Sequence, residues 1–153
     1  MERARPAEHA DLTQAAQLLA TALDGARTMR GGAALLGSAT PAELMARWTS
    51  GGSEAALYVG EFDHAVVGLA AATTFTRTGA TDRSGRIECC FVQANARGVG
   101  VGSALMDAVV GWCGALGCRD IDALALPGDR SSKQRLEAAG FVARLLTLNR
   151  RPG

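Results

Sequence analysis

The sequence contains no apolar run approaching the roughly 18 consecutive residues that a membrane-spanning helix needs. Nor does it have an excess of charge of one sign. Sixteen lysines and arginines face 15 aspartates and glutamates, for a formal net charge of +1. That balance gives no electrostatic reason to expect a nucleic-acid or membrane-surface partner. Basic clusters at Arg144 and Asn149-Arg150-Arg151 read as solvated ends. The opening Met1-Glu2-Arg3-Ala4-Arg5-Pro6 lacks the continuous apolar core of a secretory signal, so the expectation is a cytoplasmic protein. Zinc spacing is missing too. Cys89 and Cys90 are adjacent, and Cys113 and Cys118 have no second Cys/His pair nearby. The four cysteines read as buried, reduced thiols, and no metal is expected. Tyr58 is the one tyrosine. There is no internal repeat and no low-complexity segment.

What is present suits one domain over 1–153: 48% hydrophobic and 20% charged residues, enough to bury a substantial core. Glu2 to Pro6 reads as a short strand. Leu12, Ala15, Ala16, Leu18, Leu19, Ala22 and Leu23 recur at helical spacing, closed by Asp24-Gly25. Residues 25–39 read as a mobile, glycine-rich connection. Thr40-Pro41-Ala42-Glu43 predicts a capped helix start with a Thr40/Glu43 capping box, and Ser50-Gly51-Gly52-Ser53 ends that helix.

Ala56–Phe62 and Ala65–Thr76 flank Asp63-His64 as a hairpin. Gly79–Gly85 reads as a polar loop and Arg86–Gln93 as a strand. A helix is expected over Gly102–Leu116, then a short strand over Arg119–Leu126, stopped by Pro127-Gly128. Ser131–Ala139 follows as a helix with a Ser131/Gln134 capping box and Gly140 at its C-terminal end, and Phe141–Arg150 as a last strand. The order is mixed α and β around one sheet. His9 and His64 read as surface residues, Met29, Met45 and Trp48 as helix packing, and Trp112 as core.

The most informative segment runs from Val92 to Ser103, where Arg97-Gly98-Val99-Gly100-Val101-Gly102 joins a strand to a helix. Unpaired amides and the positive end of the helix dipole favour a polyphosphate there. Glycine lets the backbone approach phosphate oxygens, and Arg97 adds a charge-assisted donor. A Walker loop is excluded because Gly102-Ser103-Ala104 has no lysine. A dinucleotide fingerprint fits poorly. Asp120 and Asp122 precede the apolar Ala123–Leu126, and about 30 residues remain for the rest of a doubly wound sheet.

This segment resembles the pyrophosphate signature of the GCN5-related N-acetyltransferase (GNAT) superfamily, Arg/Gln-x-x-Gly-x-Gly/Ala. Phe91-Val92 stands where that family has an aromatic-Val pair, and Gly140-Phe141 where it has a Gly-Phe pair. Element order agrees from Arg3 to about Arg150. The resemblance implies an α/β (α+β) fold, a mixed, mostly antiparallel central sheet flanked by helices, with a V-shaped split between two central strands. It implies acetyl-CoA as co-substrate in that split. Main-chain groups near Phe91 and Val92 would meet the pantetheine arm, one amide polarising the thioester carbonyl, and the turn Arg97, Gly98, Val99, Gly100, Val101, Gly102 and Ser103 would hold the pyrophosphate. Asp129 and Ser132 would approach the thiol end, although Asp129 fits a simple helix cap equally well.

The implied function is N-acyl transfer to a primary amine of a small molecule or peptide by direct attack in a ternary complex. The family's usual acid, a tyrosine, corresponds to Leu136. Loss of that acid need not stop transfer, because a thiol of pKa about 8.5 leaves readily as thiolate. Ser132, Cys89 and Cys90 are weak substitutes. Deprotonating a lysine-like amine at pH 7 costs roughly 4.6 kcal/mol, so a base is useful. Glu88 is the catalytic candidate, four residues before Val92. Simple alternation would put Glu88, Cys90 and Val92 on one face unless a bulge intervenes. Three roles fit Glu88: general base (directly or through water), substrate anchor, or solvated carboxylate. An acyl-CoA-binding sensor without turnover is the alternative reading of the chain. About 13 residues follow Gly140, fewer than the family's usual two-strand ending, so a homodimer that covers the sheet edge is a further expectation. Residues 25–45 and 77–86 and the C-terminal end, which would contact the acceptor, carry no diagnostic motif.

Overall fold

The structure, a computed structural model, describes residues 1–153. Its strands are β1 (Glu2–Pro6), β2 (Ala55–Phe62), β3 (Ala65–Thr76), β4 (Arg83–Val92) and β5 (Ile121–Ala123). Its helices are α1 (Leu12–Thr28), α2 (Gly32–Leu36), α3 (Pro41–Ser50), α4 (Val101–Ala115) and α5 (Arg130–Ala138). One sheet has the order β1-β2-β3-β4-β5, antiparallel from β1 to β4 and parallel between β4 and β5. Asp63 and His64, with φ of 48° and 70°, make the tight turn between β2 and β3. Both residues need the left-handed region that a two-residue hairpin demands.

Helices cover both sheet faces. Val101, Leu105, Met106, Val109 and Cys113 of α4 bury against Val67, Ala72, Ile87 and Val92 on one face. Leu18, Leu19 and Leu23 of α1 and Met45 and Trp48 of α3 bury against Leu57, Val59, Leu69 and Ala71 on the other. Small strand residues let α4 sit close. A Cβ on Gly60 would lie 2.5 Å from Val101 Cγ1, and one on Gly68 3.0 Å from Leu105 Cδ1. No helix is long and apolar enough to cross a membrane.

Tertiary context moves several boundaries. Helix α1 continues through Asp24-Gly25 to Thr28. A helical glycine costs only about 1 kcal/mol, and the buried leucine stripe outweighs it. Helix α2 occupies part of the 25–39 connection. Strand β4 starts at Arg83, because Thr74–Thr76 of β3 offer partners to Arg83–Gly85. The capping box at Thr40/Glu43 forms. The one expected at Ser131/Gln134 does not. Asp129 is the N-cap of α5, its carboxylate accepting from the Ser132 amide at 3.1 Å.

The largest correction concerns the last strand. Residues 141–150 form none, although Gly140 (φ +88°) ends α5 as expected. A strand exists by pairing, and no amide of residues 142–150 donates to another strand; β5 itself keeps only three of the eight residues expected over Arg119–Leu126.

Candidate functional site

Strands β4 and β5 pair at Gly85↔Ile121, Arg86↔Asp122 and Ile87↔Ala123, and then separate. The edge of β4 from Glu88 to Val92 therefore faces a wedge whose far wall begins at Leu124. The divergence coincides with a bulge. Ala71 pairs with Cys89 and Ala72 with Ile87, so Glu88 is the extra residue on β4. The bulge overturns simple alternation. Cys90 and Val92 face α4, whereas Glu88 turns to the other side, where Arg47 of α3 and Thr73 of β3 meet it.

At the wide end of the wedge lies the glycine-rich turn. Gly98 and Gly100 have φ of 84° and 91°, a region that other residues enter only with strain. Gly100 is the N-cap of α4. The amides of Gly100, Val101, Gly102 and Ser103 donate to no acceptor in the protein. Four orphan donors at the positive end of a fifteen-residue helix form an anion site. Arg97 is held over this opening, its Nε donating to the Val92 carbonyl at 2.9 Å and its guanidinium 5.8 Å from the Phe91 ring centre. Val92, Arg97, Gly98, Gly100, Gly102, Ser103 and Arg135 line a cavity of about 270 Å³. Val99 points to the surface. Val101 is 1% exposed and anchors the start of α4 in the core rather than lining the cavity.

The narrow end is a crevice of about 80 Å³, whose lining includes Glu88, Cys90, Leu124, Ser132, Arg135 and Leu136. Thr73 Oγ1 donates to Glu88 Oε1 at 2.8 Å, and Arg47 pairs with the same oxygen. Asp129 lies outside this lining and is absorbed in its cap. It accepts from the Ser132 hydroxyl at 2.6 Å. Burial pulls its carboxyl upward, but the Ser132 hydrogen bonds outweigh that and hold it below the usual range. Leu136 stands in the crevice, and no tyrosine replaces it, since Tyr58 is on β2. Burial pushes the Cys89 thiol up to about 12 and raises that of Cys90. Gly31 lies across from the split, a Cβ there falling 3.8 Å from Leu126 Cδ2, so the 25–45 segment borders the wedge.

Sequence reasoning missed Arg135, the residue that lines both cavities. A signal existed. Ser132, Arg135 and Leu136 share one helical face at i, i+3, i+4 spacing, and an arginine on the packing face of a short helix is unusual.

The α+β sheet thus presents a wedge between two parallel strands, with an amide-lined turn at its mouth. The acetyltransferase (GNAT) family model matches residues 35–141, and the chain belongs to that family. Three solved structures share the fold. A predicted acetyltransferase from Clostridium acetobutylicum, solved with acetyl-CoA, has a TM-score of 0.73 at 18% identity, covering 97% of this chain and 96% of that one. Glucosamine-6-phosphate N-acetyltransferase from Arabidopsis thaliana has 0.71 at 18%, covering 99% and 98%. Ribosomal-protein-alanine N-acetyltransferase from Brucella melitensis has 0.71 at 16%, covering 100% of both chains. No curated protein matches the sequence significantly.

Proposed function

We propose that this protein transfers an acetyl group from acetyl-CoA to a primary amine of a small molecule or peptide, by direct attack within a ternary complex. The observation that carries this reading is the set of acceptor-less amides from Gly100 to Ser103 at the mouth of a split sheet. Those amides and Arg97 would take the diphosphate, and the unpaired β4 edge near Phe91 and Val92 would take the pantetheine arm. The amine attacks the thioester carbonyl, the C–S bond breaks, and the thiolate leaves. Glu88 accepts the amine's proton, directly or through water. Its bulged position and anchored Oε1 support that role. Ser132 borders the thiol end.

Thermal unfolding with acetyl-CoA tests the reading. Saturating carrier raises Tm, and Arg97→Glu or Gly100→Trp abolishes the shift. No shift in the wild type would refute it. Free-thiol release with an amine panel then separates turnover from a carrier-binding sensor, which would show the shift but release no thiol.

We further propose that the chain self-associates through residues 141–150. Val142, Leu145, Leu146 and Leu148 are 67–89% exposed, and the outer edge of β5 is unpaired. Each copy thus carries both an open edge and an apolar segment able to cover one.

A further inference from the structure

Arg135 reaches from α5 across the wedge. Its Nη1 donates to the Cys90 carbonyl at 3.3 Å, on the free edge of β4. Its Nε lies 3.3 Å from where a Cβ on Gly102 would stand, beside the acceptor-less amides. The side chain therefore separates the wide cavity at the turn from the narrow crevice at Glu88.

Its electrostatic setting is unbalanced. The guanidinium forms no ion pair and donates to the protein only at Cys90, leaving most of its donors unused. Around it stand a second guanidinium, Arg97, and the positive end of α4; the Asp129 carboxylate is near enough to feel its charge but is committed to the Ser132 cap and forms no ion pair with it. Glu2 approaches from β1, its Oε1 3.4 Å from a Cβ built on Gly100, but it pairs with neither arginine. Placing a half-buried cation against a helix N-terminus is unfavourable unless an anion arrives between them. A diphosphate is such an anion.

The geometry points to Arg135 as a movable positioning residue that couples the two ends of the carrier site, an inference that rests on the acetyl-CoA reading above. Without carrier it caps the Cys90 carbonyl and blocks the lane that the pantetheine arm must enter. When the diphosphate reaches the turn, the guanidinium leaves Cys90 and pairs with phosphate oxygens, freeing the β4 edge. The phosphate end of the carrier thereby opens the path for its own thiol arm, and phosphate-free thioesters are disfavoured.

Titration of coenzyme A and of pantetheine, the latter followed by NMR shifts at millimolar concentration, tests this in the wild type and in Arg135→Met, Arg135→Gln and Arg135→Lys. The expected result is a loss of about 10-fold or more in affinity for coenzyme A in the Met and Gln variants, and a loss within about 3-fold in the Lys variant. Pantetheine affinity stays unchanged or rises, because the lane is open. Equal losses for both ligands would mark a merely structural role and overturn the proposal. So would coenzyme A affinity within 2-fold of wild type in both neutral variants. Wild-type protein that ignores coenzyme A would instead defeat the underlying transferase reading.

Discussion

Thr73 donates its hydroxyl to Oε1 of Glu88 at 2.8 Å, fixing a carboxylate that the bulge in β4 has turned out of strand register. Arg47 takes the same oxygen, so Oε2 makes no hydrogen bond within the protein. One oxygen orients the group and the other is available to a proton. Glu88→Gln keeps the shape and removes the basicity. The expected result is a 10²–10⁴-fold fall in kcat/KM for a lysine-like amine, with loss of the carboxylate's limb from the pH–rate profile. For an α-amino acceptor, whose deprotonation costs roughly 1.4 kcal/mol at pH 7, the fall is smaller. An unchanged profile would rule out the base.

In the proposed transfer the thiolate would leave without an enzyme acid. Cys89, raised to about 12 by burial, would donate to a thiolate of pKa about 8.5 only at a cost of roughly 5 kcal/mol. Leu136, which borders the crevice, has no proton to give. The wild-type kcat profile should therefore rise to a plateau with no descending limb up to about pH 9.5. Leu136→Tyr should introduce a descending limb near the phenol's ordinary value of about 10. A bell-shaped wild-type profile would reveal an acid and defeat this prediction.

Acid sensitivity of the fold should centre on the β1–β2 edge. Arg5 donates to Asp11 at 2.7 Å and to Glu61 at 2.9 Å, and Arg3 reaches Glu61 at 2.6 Å. Hydrogen bonds from Arg5 hold both carboxyls below their ordinary range. A depressed folded-state pKa stabilises the protein above the unfolded value near 4. That contribution is lost as pH falls through the depressed value. Arg5→Met is expected to cost about 2 kcal/mol at pH 7, below the full cost of breaking a buried pair because the Arg5 side chain stays 23% exposed. Urea melts at pH 7 and pH 3 check it, the difference from wild type shrinking at the lower pH. A constant difference would contradict the assignment.

Local chemistry was readable before any fold was known. The Thr40/Glu43 box, the Asp63-His64 turn and the glycines between Arg97 and Ser103 act through their own backbones, so a sequence window suffices. Features decided by neighbours were not. The bulge at Glu88 depends on where β3 stops being in register, and Arg135 reaches Cys90 only because α5 docks over the wedge. Ser131 and Asp129 both offered cap chemistry, and the two-residue difference was settled by where the chain leaves β5.

The segment after Gly140 shows the same dependence and carries the last prediction. Leu145, Leu146 and Leu148 are 89%, 80% and 87% exposed, and burying one such side chain is worth about 1.5–3 kcal/mol. Strand alternation would place Leu146 and Leu148 on one face together with Val142, with Arg144 and Arg150 between and beyond them. Pairing with the β5 edge of a second copy would satisfy the backbone and cover Val142, Leu146 and Leu148, with the arginine stems of the same face at the margin. Light scattering across a concentration series is expected to show mass rising toward twice the 15.8 kDa monomer. Leu146→Asp with Leu148→Asp should restore the monomer while leaving the carrier-induced Tm shift in place, since neither residue touches the wedge. A strict monomer at all concentrations would exclude pairing between copies and leave the segment to fold against its own β5.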